Sequence, residues 1–132
     1  MALHRRSPTC RRGLAALAAV LALLLAVSPG LAAELLMFEE PGCPWCKRWE
    51  AEVGIGYPRS AEGQRAPVRR LPLGKPPGNV QLLTPVTMSP TFVLVDDGRE
   101  VGRITGYPGA DFFWALLAEL VAKLDRKPPG TG

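Results

Sequence analysis

The sequence predicts an α/β fold, a mixed sheet of about four strands flanked by helices. Three observations favour it. The short apolar run Glu34–Glu39 leads into a helical segment, the β-branched and aromatic run Thr91–Val95 leads into a hairpin turn, and Asp111–Lys127 is strongly amphipathic. A length of 132 residues allows one small domain. With 47% apolar and 21% charged residues, the chain is neither a disordered tail nor a polytopic membrane protein.

The first 33 residues are typical of a secretory signal peptide. Four arginines precede an apolar run over 13–27, and residues 1–33 contain no acidic residue. Helix-breaking and small residues lead up to Ala33. The apolar run is short of the roughly 20 residues that span a bilayer. We therefore favour a removed leader over the alternative, an uncleaved N-terminal anchor. Residues 34–127 would then form the domain, and residues 128–132 a disordered tail.

Removal of the leader changes both the charge and the cysteine count. If cleavage follows Ala33, 99 residues remain, and 12 basic residues balance 12 acidic ones. The basicity therefore belongs to the leader, and we expect no nucleic-acid surface. The leader also contains Cys10 and the single histidine. The remaining cysteines, Cys43 and Cys46, allow one intramolecular disulfide in an oxidising compartment.

The first half of the domain is predicted from local patterns. The segment Glu34–Glu39 has four consecutive apolar residues between its two glutamates, as expected for a buried strand. Cys43–Val53 is predicted as a helix, since Pro44 suits the first turn and apolar residues recur at positions 46, 49 and 53. The stretch 54–78 is rich in glycine and proline, and one strand is expected within it, at Pro67–Leu73.

The second half gives stronger signals. We expect a single helical turn at Asn79–Leu83, then a hairpin of Thr91–Val95 and Glu100–Thr105 around an Asp-Asp-Gly turn. Asp111–Lys127 carries acidic and basic residues at the ends that favour them. Its predicted apolar face consists of Phe112, Phe113, Leu116, Leu117, Leu120, Val121 and Leu124.

The motif Cys43-Pro44-Trp45-Cys46 carries the chemistry. Two cysteines three positions apart at a helix start can close a disulfide across one turn. Free N–H groups and the helix dipole stabilise a thiolate there, which lowers the pKa of Cys43 below its ordinary value of about 8.5. Cys43 is therefore predicted to attack a substrate disulfide. Cys46, on the apolar helix face, is predicted to attack the mixed disulfide second.

Two other functions remain open for this motif. An inert disulfide staple is one, although a loop this short removes little chain entropy. Metal carriage is the other. Zinc needs about four ligands, whereas the domain offers two thiolates and no histidine, which would suit at most a Cu(I) carrier. We expect no cofactor and no metal.

The segment Ser89-Pro90-Thr91 precedes the strongest strand. A cis bond before Pro90 would expose the backbone of Ser89 for pairing with a substrate strand, and a trans proline at a strand edge is equally compatible with the sequence. Trp45 is predicted to face substrate rather than to cap the sheet edge. Trp49 is assigned to the core, and the three aromatic residues at 112–114 are assigned to packing rather than to a cofactor site.

These features together resemble the thioredoxin superfamily. The resemblance rests on the Cys-Pro-Trp-Cys motif, on Ser89-Pro90-Thr91-Phe92, on the Asp97-Gly98 hairpin and on Gly106. It implies a short, glutaredoxin-sized version of the fold, with Cys43 as nucleophile, Cys46 as the second thiol and Pro90 as a cis-proline. By the same resemblance, Pro44, Trp45 and Ser89 would bind substrate.

The sequence departs from thioredoxins at two positions near the motif. Met37 stands where thioredoxins have a buried aspartate, and Gly42 stands where they have tryptophan. The group that accepts the Cys46 proton is therefore not identified. Glu39 and Glu40 are nearby candidates, and surface carboxylates are the simpler interpretation of both.

A narrower resemblance links the chain to the periplasmic thioredoxin-like regulators of bacterial sulfur-oxidation (Sox) systems. It includes Met37-Phe38-Glu39, Tyr57-Pro58 and Gly106-Tyr107-Pro108-Gly109. It implies a periplasmic reductase that takes electrons from a membrane thiol transporter and keeps a cysteine of the sulfur-carrier protein reduced. The oxidase relatives usually carry an inserted helical domain, for which this chain has no room. Reduction of apocytochromes in cytochrome c maturation is the alternative within the same chemistry.

Overall fold

A computed structural model of the chain describes residues 32–126. The predicted signal peptide over 1–33 lies almost wholly outside these residues, and the predicted tail over 128–132 lies entirely outside them. Within residues 32–126, no helix combines the length and the apolarity that a membrane span needs.

A four-stranded mixed sheet forms the centre of the fold. The strands are β1 (Glu34–Glu39), β2 (Val68–Pro72), β3 (Thr91–Asp96) and β4 (Arg99–Thr105), in the spatial order β2-β1-β3-β4. The β1–β2 pair is parallel, and the other two pairs are antiparallel. The predicted fold class is therefore confirmed. The turn between β3 and β4 is the expected one, with Asp97 and Gly98 both at positive φ.

Within residues 32–126, three α-helices accompany the sheet: α1 (Pro44–Trp49), α2 (Ala61–Arg65) and α3 (Ala110–Asp125). The first continues into a π-helical turn, Glu50–Gly54, so the predicted helix over 43–53 is present with a wider last turn. A 3-10 turn, Tyr57–Arg59, leads into α2. Ser60 is the N-cap of α2, and its side chain accepts a hydrogen bond from the Gly63 amide.

One face of the sheet packs against α1 and α3. Its centre is aromatic: the Phe92 ring lies 5.3 Å from that of Trp49 and 4.8 Å from that of Phe113, centroid to centroid. All three side chains are fully buried, which confirms the assignment of Trp49 to the core. These contacts fix the first helix, and with it the cysteine motif, against the sheet.

The opposite face of the sheet is covered by chain without helix. Leu36, Phe38, Val93 and Val95 project from this face and pack against apolar residues of the segment 71–86. The helical turn predicted at Asn79–Leu83 is wrong. Gln81 is extended instead, and its backbone exchanges hydrogen bonds with Gly98 and Glu100 at the start of β4, which compete successfully with a local helical turn.

The apolar face predicted for α3 is partly wrong. Phe113, Leu117, Leu120 and Val121 are buried, whereas Phe112 is 69% exposed. Leu116 is exposed as well, and Trp114 is half-buried and stacks on Tyr57. At roughly 100° per residue, the seven predicted residues span about half the helix circumference, which is more than the sheet can cover. The face that is buried is centred nearer to Trp114 than to Phe112.

Candidate functional site

The cysteine pair lies where β1 passes into α1. A turn at 40–42 reverses the chain, with Gly42 at φ +79° and the Cys43 amide donating to the Glu40 carbonyl. Cys43 is the N-cap of α1, and Pro44 occupies its first turn. Cys43 and Cys46 form a disulfide, with their Cα atoms 5.3 Å apart. The motif is therefore placed at a helix N-terminus, as its sequence predicts.

The two sulfurs have different surroundings. Cys43 is partly exposed, and its Sγ accepts a hydrogen bond of 3.1 Å from the Cys46 amide. Cys46 is only 5% exposed and belongs to the aromatic core beside Trp49. An incoming sulfur can therefore approach Cys43 more easily than Cys46, and a thiolate at Cys43 would be stabilised by the helix N-terminus.

The segment before β3 faces the buried sulfur. The peptide bond between Ser89 and Pro90 is cis, a point that the sequence left open, and Pro90 is buried. The Ser89 hydroxyl oxygen lies 3.4 Å from Cys46 Sγ and accepts a hydrogen bond of 3.0 Å from the Glu40 amide. Residues that are 43 positions apart in the chain therefore meet at the disulfide.

Exposed apolar side chains occur within the cysteine motif and just before the cis bond. Trp45 is 51% exposed, as predicted, and the Arg48 guanidinium lies 5.9 Å from the centre of its ring. Pro44 is also exposed, and Met88 is 53% exposed just before the Ser89–Pro90 bond. The structure thus brings the sequence-predicted residues Cys43, Cys46, Trp45, Ser89 and Pro90 to one end of the fold.

A cleft lined by both apolar and charged side chains runs beside the disulfide. It has a volume of about 590 Å³. Arg70 lies in it between the carboxylates of Glu39 and Glu50, and stacks over the Trp49 ring at 5.6 Å. Met37, at the position where thioredoxins have aspartate, is fully buried. Sequence reasoning found Glu39 here and missed Arg70 and Glu50. The parallel pairing of β1 with β2 brings Arg70 to the cleft, and Glu50, in the turn after α1, pairs with it there.

A polar cluster of Tyr107, Glu52 and Arg48 links the first helix and its π-helical turn to the segment after β4. The Tyr107 hydroxyl donates a 2.6 Å hydrogen bond to Glu52, which also pairs with Arg48. These two hydrogen bonds, that of Tyr107 first, lower the pKa of Glu52. Burial raises the pKa of Tyr107 to about 12, and the hydrogen bond to the Glu52 carboxylate acts in the same direction.

The described residues contain no group of three or more histidine, cysteine, aspartate or glutamate side chains placed to hold a metal ion. The candidate ligands at this site are the two sulfurs, a donor set that suits Cu(I) better than zinc.

The fold and the site define a class of protein. A family model for the thioredoxin-like domain matches residues 26–120. The chain belongs to the thioredoxin-like family, and its fold and cysteine pair are those of a thiol–disulfide oxidoreductase that acts on protein thiols.

Among solved structures, the chain is similar to that of the periplasmic thioredoxin SoxS from Paracoccus pantotrophus in its reduced form. The two sequences are 50% identical, with a TM-score of 0.67, and the match covers 70% of this chain and 98% of that one. A comparison with curated proteins finds no match.

Proposed function

We propose that this chain is a periplasmic thiol–disulfide reductase that keeps a cysteine of a sulfur-carrier protein in its reduced, active form. The observation that carries the proposal is the unequal exposure of two bonded sulfurs at a helix N-terminus, in a chain 50% identical to a periplasmic thioredoxin. The membrane donor of electrons would be a thiol transporter. The leader over 1–33 would direct export.

In the proposed reaction, Cys43 is the nucleophile. Its thiolate attacks a sulfur of the substrate disulfide, one substrate sulfur leaves as a thiol, and a mixed disulfide forms. Cys46 then loses its proton and attacks Cys43 Sγ. The second substrate sulfur leaves and takes up a proton. The products are a reduced substrate and the Cys43–Cys46 disulfide, which the electron donor reduces by the reverse sequence.

Substrate is proposed to bind across the exposed end of the fold. Pro44 and Trp45 would provide apolar contact area beside the nucleophile, since both are exposed there. Ser89 would present its backbone to an extended substrate segment, because it lies just before β3 and its hydroxyl is 3.4 Å from Cys46 Sγ. The cis bond to Pro90 would hold this backbone in place.

A measurement of reduction potential tests the direction of electron flow. The full chain carrying Cys10→Ser, so that only Cys43 and Cys46 react, is equilibrated with glutathione buffers. We expect a potential more negative than about −200 mV, on the reducing side of the range that such proteins cover. A potential near about −120 mV would mark an oxidant and contradict the proposal.

Substrate trapping tests the partner. In a Cys46→Ser variant the mixed disulfide cannot be released by an internal thiol, so the sulfur-carrier protein should remain attached through Cys43. The control is Cys43→Ser, which should trap nothing. Recovery of apocytochromes alone would support a role in cytochrome c maturation. Tight binding of one Cu(I) without any disulfide exchange would support the metal carrier instead.

A further inference from the structure

The Ser89 hydroxyl is held between a backbone amide and the buried sulfur. Its oxygen accepts a hydrogen bond from the Glu40 amide at 3.0 Å and lies 3.4 Å from Cys46 Sγ. Cys46 is bonded to Cys43 and so has no proton to give. Ser89 must therefore be the donor in its contact with the sulfur, and the amide of Glu40 fixes the oxygen in the position from which it donates.

We propose that Ser89 is a catalytic residue, whose hydroxyl stabilises Cys46 as a thiolate each time that sulfur attacks or leaves. The inference rests on the proposed disulfide exchange and assigns to the Ser89 side chain a role beyond substrate binding. When the mixed disulfide is resolved, Cys46 gives its proton to solvent, the Ser89 O–H donates to the resulting thiolate, and the sulfur then bonds to Cys43. The leaving substrate sulfur takes up a proton.

The same contact acts in the opposite direction. When a donor thiolate attacks Cys43, the bond between Cys43 and Cys46 breaks, and Cys46 receives the electron pair. Ser89 is already oriented toward this sulfur in the disulfide form, as the 3.4 Å distance shows. A donor that is positioned before the charge develops requires little reorganisation during the reaction.

The surroundings of Cys46 make such a donor valuable. The sulfur is 5% exposed, so water solvates a thiolate there poorly. Arg70 is engaged by two carboxylates, and the Lys47 side chain is exposed to solvent. Among the described residues, Ser89 is the side chain that hydrogen-bonds this sulfur. The charged side chains that line the adjoining cleft are Glu39, Glu40, Lys47, Glu50 and Arg70.

The test follows the two steps of exchange with 5,5′-dithiobis(2-nitrobenzoate), a reagent too small to need the substrate-binding backbone. One equivalent is mixed with the reduced full chain, in a Cys10→Ser background. Cys43 releases the first thionitrobenzoate, and Cys46 releases the second by attacking the mixed disulfide. The rates of both steps are followed at 412 nm as a function of pH.

In Ser89→Ala we expect the second step to slow about 3- to 10-fold near neutral pH, and its pH midpoint to rise by about one to two units. The slowing is smaller than the lost thiolate fraction, because a more basic thiolate is a better nucleophile. Above both midpoints the variant should equal or exceed the unmodified rate, which a distorted site would not do. The first step should be unchanged.

Ser89→Thr keeps a hydroxyl and should restore the second step. Thr87→Val removes an exposed hydroxyl two residues earlier and should leave both steps unchanged. If Ser89→Ala fails to fold, as judged by its urea midpoint, Ser89→Gly removes the same hydroxyl and carries the same expectations.

Superimposable second-step profiles for Ser89→Ala and the unmodified chain would overturn the role of Ser89 and leave the exchange chemistry intact. Equal slowing of both steps at all pH values would overturn it too. If the unmodified chain released no second thionitrobenzoate, the proposed function itself would fail.

Discussion

Cys43 and Cys46 differ at the residue scale because one caps a helix and the other lies in an aromatic core. The cap leaves Cys43 partly exposed and gives its sulfur a hydrogen bond from the Cys46 amide. The core removes Cys46 from water. The two sulfurs are therefore chemically unequal, although their side chains are identical.

This inequality leads to the first prediction. In the reduced chain carrying Cys10→Ser, iodoacetamide at about pH 6 should alkylate Cys43 roughly tenfold or more faster than Cys46, because only an accessible thiolate reacts. Mass spectrometry of the labelled peptides measures both rates. In urea the two rates should converge. Equal rates in the folded protein would contradict the assigned roles.

The second prediction concerns the two tyrosines, Tyr57 and Tyr107, both of which are buried. Burial raises the pKa of Tyr57 above its ordinary range and that of Tyr107 to about 12. A phenol whose pKa is higher in the folded state stabilises the fold while it is protonated. That stabilisation is complete below the unfolded value of about 10 and is lost as the pH rises toward about 12.

A titration of absorbance at 295 nm checks this. We expect no tyrosinate with a midpoint near about 10 while far-UV circular dichroism reports a folded chain. We expect a first phase near about 12, which Tyr107→Phe removes. An ordinary midpoint in the folded chain would show that Tyr107 is neither buried nor hydrogen-bonded to Glu52 in solution.

The sequence predicts the reactive residues better than their supporting groups. Cys43, Cys46 and Trp45 lie in one contiguous motif, so local pattern and helix position are enough to find them. Arg70 is distant in sequence and reaches the cleft only through the pairing of β1 with β2. The contact between Ser89 and Cys46 spans 43 positions and depends on a turn whose geometry no local pattern specifies.

At the scale of elements, α3 shows what the periodicity of apolar residues predicts and what it does not. Its seven apolar residues correctly predict a helix against the sheet, but they do not predict where the buried arc ends. Phe112 and Phe113 are adjacent in sequence, yet one is 69% exposed and the other fully buried. The orientation of the helix is set by the rings of Trp49 and Phe92, which pack on Phe113.

The third prediction uses this adjacent pair as its own control. Phe113→Ala should lower the free energy of unfolding by about 3–5 kcal/mol, because it removes a ring from the centre of the core and leaves a cavity. Phe112→Ala should change it by about 0.5 kcal/mol or less, as is usual for an exposed site. Urea unfolding measures both. Similar losses in the two variants would contradict the buried arc described for α3.

The short helix α2 illustrates what the sequence could not predict. The stretch 54–78 contains many helix breakers, which argue against a helix by propensity. Ser60 nevertheless caps α2, and Gly63 allows the turn to close against Tyr57. A Cβ on Gly63 would lie 1.8 Å from the Tyr57 carbonyl oxygen. The glycine is therefore required by this close contact, and it does not mark a flexible segment. Helix propensities describe single residues and therefore cannot predict this contact.

At the scale of the whole molecule, the prediction of the fold class depended mainly on the strands. β1 and the β3–β4 hairpin are the strongest local signals and also form three of the four strands of the sheet. Their agreement with the overall topology explains why the fold class and the thioredoxin-like family could be predicted together. The second sheet face was less predictable, because irregular chain covers it and only long-range pairing orders that chain.

The position of β1 also bears on export. Glu34 begins the strand and pairs with Val95, and the Leu35 amide donates to the Pro67 carbonyl. A cut after Ala33 would therefore leave every residue of this strand in place. It would also remove four arginines and no acidic residue, which changes the net charge from +4 to zero.

The fourth prediction is that the chain recovered from the periplasm begins at Glu34. Intact-mass measurement should give the 99-residue product, and isoelectric focusing should show a marked shift from the value of about 9.3 for the full chain. Ala33→Leu, which places a bulky residue at the cleavage position, should slow this processing. Full-length chain sedimenting with membranes would instead support the uncleaved anchor, and would mean that the oxidoreductase works tethered to a membrane.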